Sequence, residues 1–137
     1  MKKEHVLIVE DDIFIYDNIK KALLRQNFSV DEYAPSVAKA QELIKKKQPD
    51  VALLDINLEG EEDGMFLANY ISKFYDFPFI FLTSISSDHT FYEGLNAGHS
   101  AFLIKEKSDV DEIIRVIYTA INIYKSHKNT KTKSIKR

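Results

Sequence analysis

Val51-Ala52-Leu53-Leu54 is an apolar run that stops at a carboxylate, Asp55. Pro49-Asp50 precedes it as a turn signal, and Asn57-Leu58-Glu59-Gly60 follows as loop. A short apolar run bounded in this way reads as a strand buried on both faces. Asp55 then falls at the carboxyl end of that strand, the edge where open α/β sheets bind ligands. A second run, Val6-Leu7-Ile8-Val9, stops at Glu10-Asp11-Asp12. Two parallel strands that both end in acid bring their carboxylates to one rim.

The rest of the chain alternates strand and helix signals. Asp12 can cap a first helix with Ile15, Ile19, Ala22 and Leu23 inward, and Asn27 is its expected stop. A second strand is expected over Ser29 to Tyr33. Pro35-Ser36 opens a second helix with Ala40, Leu43 and Ile44 inward, and Lys45-Lys46-Lys47 sits where the dipole favours cations. Gly64 is expected to take a backbone conformation that other residues resist. A third helix, Met65 to Phe74, turns Leu67, Tyr70, Ile71 and Phe74 inward. Phe79 to Leu82 is a fourth strand ending at Thr83-Ser84. A fourth helix is expected over Asp88 to Asn96, with a thin apolar face and Gly98 as its stop. Ala101 to Ile104 is a fifth strand ending at Lys105. Ser108 is the expected cap of a last helix, whose stripe runs Val110, Ile113, Ile114, Ile117, Ala120, Ile121 and Tyr124. Five strands alternating with five helices give a parallel sheet covered on both faces by right-handed crossovers.

Composition excludes several classes. The 137 residues favour a single domain. Without cysteine there are no disulfides, zinc-thiolate sites or thiol catalysis. The apolar run after Lys2-Lys3 is too short for a signal core or a membrane span, so a cytoplasmic protein is expected. His5, His89, His99 and His127 show no metal-ligand spacing and read as ordinary surface or partly buried residues. The net charge of −2 conceals an asymmetry: residues 125–137 carry six Lys/Arg and no acid, which leaves −8 on the rest.

Four strand ends therefore carry polar groups: Glu10-Asp11, Asp55, Thr83 and Lys105. Three carboxylates gathered at one rim repel, and a pair near 4 Å costs about 4 kcal/mol at an effective dielectric of 20. Lys105 offsets one charge and a divalent ion the rest. An all-oxygen ligand set suits Mg²⁺ or Mn²⁺. An ionised Asp with a metal and a lysine beside it is equipped to take up a phosphoryl group.

Val6 to Asp12, Asp55-Ile56-Asn57-Leu58 with Asp63-Gly64, Phe81 to Ser84, and Phe102 to Lys105 together resemble the receiver domain of two-component response regulators. The resemblance covers about Glu4 to Tyr124. It implies a flavodoxin-like, doubly wound sheet of order 2-1-3-4-5 in an α/β/α sandwich, a receiver domain over residues 1–124, and a basic tail over 125–137 that is a helix extension or disordered. By resemblance, Asp55 is the phosphoacceptor for a histidine kinase or histidine phosphotransfer protein. Asp11 binds Mg²⁺ directly, Glu10 through water, and Asp55 and the Asn57 carbonyl complete the shell. Lys105 pairs with the phosphoryl group. Thr83 and Phe102 form the switch pair, and the surface of the fourth helix, fifth strand and last helix meets the downstream target and suits a homodimer. Such a protein catalyses only its own phosphorylation and dephosphorylation. Glu106 stands where receivers usually have a cis-proline. A non-proline cis bond costs about 2.5–4 kcal/mol, so a trans bond is expected there.

Three other readings are weaker. A small phosphohydrolase with an Asp nucleophile needs a second acid two residues after Asp55, where Asn57 stands. An FMN carrier needs a Ser/Thr/Gly-rich phosphate loop after the first strand, and Glu10-Asp11-Asp12 would repel the phosphate. Nucleic-acid binding is disfavoured, because Lys131-Thr132-Lys133-Ser134 has neither aromatic interleaving nor a recognition-helix pattern. A receiver fragment of a larger regulator remains an open alternative to a stand-alone receiver.

Overall fold

The structure, a computed structural model, describes residues 3–58, 62–84, 101–105 and 109–135. Its elements are β1 (His5–Val9), α1 (Ile13–Arg25), β2 (Ser29–Val30), α2 (Val37–Lys46), β3 (Val51–Asp55), α3 (Gly64–Phe74), β4 (Phe79–Thr83), β5 (Ala101–Ile104) and the C-terminal helix α4 (Val110–Ile135). The strands form one sheet in the order β2-β1-β3-β4-β5, with every pairing parallel. The fourth helix expected at 88–96 and the Lys105-Glu106 bond lie outside the described residues.

Alternation along the strands sorts the core into two layers. On one face Leu7, Val9, Ala52, Leu54 and Phe81 pack under α2 and α3. On the other Val6, Ile8, Leu53, Ile80, Leu82 and Leu103 pack under α1 and α4. Burial of each such aliphatic side chain contributes about 1.5–3 kcal/mol, which is why β1 and β3 hold no charge until their carboxyl ends. No helix among the described residues is long and apolar enough to cross a membrane.

Helix starts are set by carboxylates and one hydroxyl. Asp12 accepts from the Phe14 and Ile15 amides, Ser36 from Lys39 and Asp63 from Phe66. The last helix begins differently from expectation. Asp109, one residue after Ser108, accepts from the Glu112 amide at 2.8 Å and serves as the cap. Asn27 ends α1 at φ 66°, the left-handed conformation that asparagine tolerates.

Three further expectations are corrected. The second strand is only Ser29–Val30, not Ser29 to Tyr33. Past Val30 the Asp31 amide still donates to the Val6 carbonyl at 3.0 Å, but its carbonyl accepts from the Tyr16 hydroxyl and its carboxylate meets His5 Nε2 at 3.1 Å. Phe74 is 63% exposed rather than inward. It is the last residue of α3, and its ring lies against Tyr70 and under the Lys73 ammonium. His5 is buried, with Nδ1 2.9 Å from Ser29 Oγ, so it helps fasten the short β2 to β1.

Candidate phosphoacceptor and metal site

The strand register brings the polar ends to one edge. Val9 pairs with Leu54, Asp55 with Leu82, and Thr83 with Ile104. Glu10, Asp55, Thr83 and Lys105 therefore follow one another across the carboxyl edge of β1, β3, β4 and β5. Alternation then splits them. Glu10, Asp55 and Lys105 continue the series of Ile8, Leu53 and Leu103, which faces α1 and α4. Thr83 continues the series of Phe81, which faces α2 and α3, and Phe102 pairs with Phe81 in register.

On the first face the carboxylates of Glu10, Asp11 and Asp55 offer oxygens that all lie within 4.8 Å of one another. Lys105 Nζ sits between two of them, 2.7 Å from Glu10 Oε1 and 3.0 Å from Asp55 Oδ2. Glu10 is completely buried and Asp55 nearly so, at 3% exposure. Burial pushes the Glu10 carboxyl up to about 8, the hydrogen bond to Asp55 adds to the rise, and Lys105 opposes it. Burial works against the charged form of Lys105, but its contacts with Glu10 and Asp55 hold the ammonium above its usual range. Although Lys105 is within ion-pair distance, Glu10 Oε1 has no hydrogen-bond partner of good geometry among the described residues. A buried, crowded, all-oxygen site with an under-satisfied acceptor fits a hard divalent cation such as Mg²⁺ or Mn²⁺.

Backbone contacts fix the carboxylates. Asp55 Oδ1 accepts from the Asn57 amide at 3.1 Å, so the residue after next holds the acceptor's rotamer. The Tyr33 hydroxyl donates to the Asp11 carbonyl at 2.7 Å and anchors the loop that carries Asp11. Gly64 is required for space. A Cβ there would lie 2.2 Å from the Asp55 carbonyl oxygen, and the Gly64 amide donates to the Ile56 carbonyl at 3.0 Å. The expectation of an unusual glycine backbone is thus replaced by close approach of α3 to the strand end. Sequence reasoning missed Tyr33 altogether. A tyrosine hydroxyl tethering a loop from 22 residues away leaves no local pattern.

On the second face Thr83 is buried, and its Oγ1 donates to the Ser84 carbonyl at 3.4 Å, a long bond. Phe102 is 38% exposed. The structure thus brings Glu10, Asp11, Asp55 and Lys105 into one cluster, with Thr83 at the end of the neighbouring strand β4 and Phe102 on β5.

Comparisons with known proteins bear on the family and the fold. The family model described as the response regulator receiver domain matches residues 6–118. The transcriptional regulatory protein YdfI of Bacillus subtilis is 28% identical over 104 residues, 75% of this chain and 48% of that protein. The chain thus spans about half the length of that curated relative. The signal receiver domain of a modulated diguanylate cyclase from Desulfovibrio desulfuricans superposes with a TM-score of 0.83 at 28% identity, covering 92% of this chain and 99% of that one. A CheY-like response regulator receiver domain protein from Methanospirillum hungatei shares the fold with a TM-score of 0.80 at 24% identity, covering 92% and 99%.

Proposed function

The chain belongs to the response regulator receiver domain family, and from that premise we propose that Asp55 accepts a phosphoryl group in a divalent-metal-dependent reaction. The observation that carries the assignment is the Asp55 carboxylate itself. It is buried at a strand end, held by the Asn57 amide, paired with Lys105 and within 4.8 Å of two further acids. A carboxylate oxygen of Asp55 attacks phosphorus. The bond from phosphorus to the donor's imidazole nitrogen breaks, and the donor histidine keeps that electron pair. The product is an acyl phosphate, which water later cleaves to restore the carboxylate.

Asp11, Asp55 and the Asn57 carbonyl would hold Mg²⁺ or Mn²⁺, with Glu10 acting through water. The ion would supply positive charge for the transferring group's oxygens. Lys105 is already within reach of Asp55 and follows the phosphoryl group as it arrives. The Thr83 hydroxyl, whose bond to the Ser84 carbonyl is long, turns toward it. The Phe102 ring then moves inward on the same face of the sheet and changes the surface around β5 and α4. This is a population shift driven by a contact made in one arrangement only.

The phosphodonor is a sensor histidine kinase or histidine phosphotransfer protein, and the changed surface meets a downstream protein. The chain acts on itself rather than turning over other substrates. The test is Mg²⁺-dependent labelling by a small phosphodonor such as acetyl phosphate, comparing the native chain with Asp55→Asn. Labelling of the native chain alone is expected; equal labelling of both rejects the assignment.

A further inference from the structure

The three acids of the cluster are not held alike. Asp55 Oδ1 accepts from the Asn57 amide at 3.1 Å, and Oδ2 meets Lys105 at 3.0 Å. Glu10 is completely buried beside the same lysine, and its Oε2 lies 3.5 Å from the Asp12 amide. Asp11 is half-buried, and among the described residues no donor holds its carboxylate. The reach of that carboxylate is therefore set by where the main chain places residue 11.

The main chain there is fixed from outside its own loop. The Tyr33 hydroxyl donates to the Asp11 carbonyl at 2.7 Å. Tyr33 in turn hangs from a segment tied down on both sides of it. The Asp31 amide donates to the Val6 carbonyl at 3.0 Å, and the Asp31 carbonyl accepts from the Tyr16 hydroxyl at 2.7 Å. The Ala34 carbonyl accepts from the Glu10 amide at 3.0 Å. The rings of Tyr16 and Tyr33 pack with their centroids 5.0 Å apart. Two acids of the cluster thus lean on one stretch of chain, Glu10 through Ala34 and Asp11 through Tyr33.

We propose that Tyr33 is a positioning residue for the divalent cation: its hydroxyl holds residue 11 where the carboxylate can ligate, and so sets the affinity for the ion. It acts through the Asp11 carbonyl and is not itself a ligand. The inference rests on the reading of Asp11 as a metal ligand. A cation that meets a carboxylate already in place does not have to order it, and losing a partner behind a ligand weakens metal binding by about 10–100-fold. Mg²⁺ is a demanding case, because it requires near-octahedral geometry. Tyr33→Phe isolates this effect. The ring keeps its packing on Tyr16, and water can reach the half-buried Asp11 carbonyl, but water does not fix its direction.

The test is a Mn²⁺ titration of the full chain, followed by the electron paramagnetic resonance signal of the free ion. Tyr33→Phe should bind at least about tenfold more weakly than the native chain. Tyr118→Phe removes a hydroxyl from α4, where the ring lies against Phe28, and should stay within about twofold. With acetyl phosphate as donor, the Mg²⁺ concentration for half-maximal labelling of Tyr33→Phe should rise by the same factor, while the rate at saturating Mg²⁺ stays within about twofold of native. A merely structural role would lower the melting temperature and move neither metal constant. In the metal-free chain the Asp12 amide, which shares a peptide group with the Asp11 carbonyl, should shift in the NMR spectrum of Tyr33→Phe and not in that of Tyr118→Phe. Native Mn²⁺ affinity in Tyr33→Phe, where Asp11→Asn weakens it, overturns this inference and leaves the metal reading standing. An unmoved Asp12 amide overturns it as well. A native chain that binds no Mn²⁺, or an Asp11→Asn variant that binds it undiminished, rejects the metal reading and this inference together.

Discussion

Lys105 Nζ lies 2.7 Å from Glu10 Oε1, although Glu10 is completely buried and Lys105 reaches it from the far side of β3 and β4. Removing the cation leaves buried negative charge without a partner. Lys105→Ala is expected to lower the stability of the metal-free chain by about 3–5 kcal/mol, with part of the loss recovered when Mg²⁺ is added. Urea unfolding with and without the ion measures both. An unchanged midpoint in the metal-free chain would show that the pair contributes nothing.

The Glu10 carboxyl is pushed from 4.5 up to about 8 in the folded chain, first by burial and then by Asp55. Between those values the folded protein holds a proton that the unfolded chain has released. Stability from this group is therefore complete below 4.5 and is lost as pH rises toward about 8. Glu10→Gln mimics the protonated acid and should remove that slope. In metal-free buffer the variant should gain on the native chain as pH rises through this window. Parallel stability curves for the two proteins are incompatible with the shift.

Gly64→Ala places a methyl 2.2 Å from the Asp55 carbonyl oxygen and 2.9 Å from Ile56 Cα. Backbone cannot yield as a flexible side chain can, so α3 or the strand end must move. The expected loss is about 1–3 kcal/mol, together with slower labelling of Asp55 because its carboxylate is displaced. Thermal melting and labelling rates, measured on the same preparation, separate the two effects. Native labelling rates in a destabilised variant would place the strain on α3 alone.

Thr83→Ala should leave Asp55 open to phosphorylation, with labelling reduced by no more than about fivefold, the value of one hydrogen bond. The response at Phe102 should disappear. Aromatic NMR signals of Phe102, recorded before and after phosphorylation, report this directly. A full shift of those signals in the variant sinks the proposed coupling.

Much of this site could be read before any coordinates, for a physical reason. A strand buried on both faces tolerates no charge along its length, so Glu10, Asp55 and Lys105 advertise where β1, β3 and β5 end. Parallel pairing then obliges those ends to share an edge. What escaped the sequence depends on contacts between distant groups. The hydroxyl of Tyr33 tethers the Asp11 carbonyl, and the His5 ring meets Ser29 and Asp31. Beyond Val30 the Asp31 carbonyl accepts from the Tyr16 hydroxyl, and β2 is shorter than alternation over Phe28 to Asp31 foretold. Phe74 obeyed helical spacing but came at the last residue of α3, where spacing no longer guarantees a neighbour. Gly64 was singled out correctly for the wrong property: its torsion is ordinary, and the crowding comes from Asp55 in the adjoining strand.

The sharing of one edge by several strands has a logistical effect. The acids and Lys105 gather at the ends of β1, β3 and β5, and Thr83 stands at the end of β4, between Asp55 and Lys105 in strand order. A change of charge in the cup is therefore felt one strand away, and no relay through the apolar layers is needed to carry it.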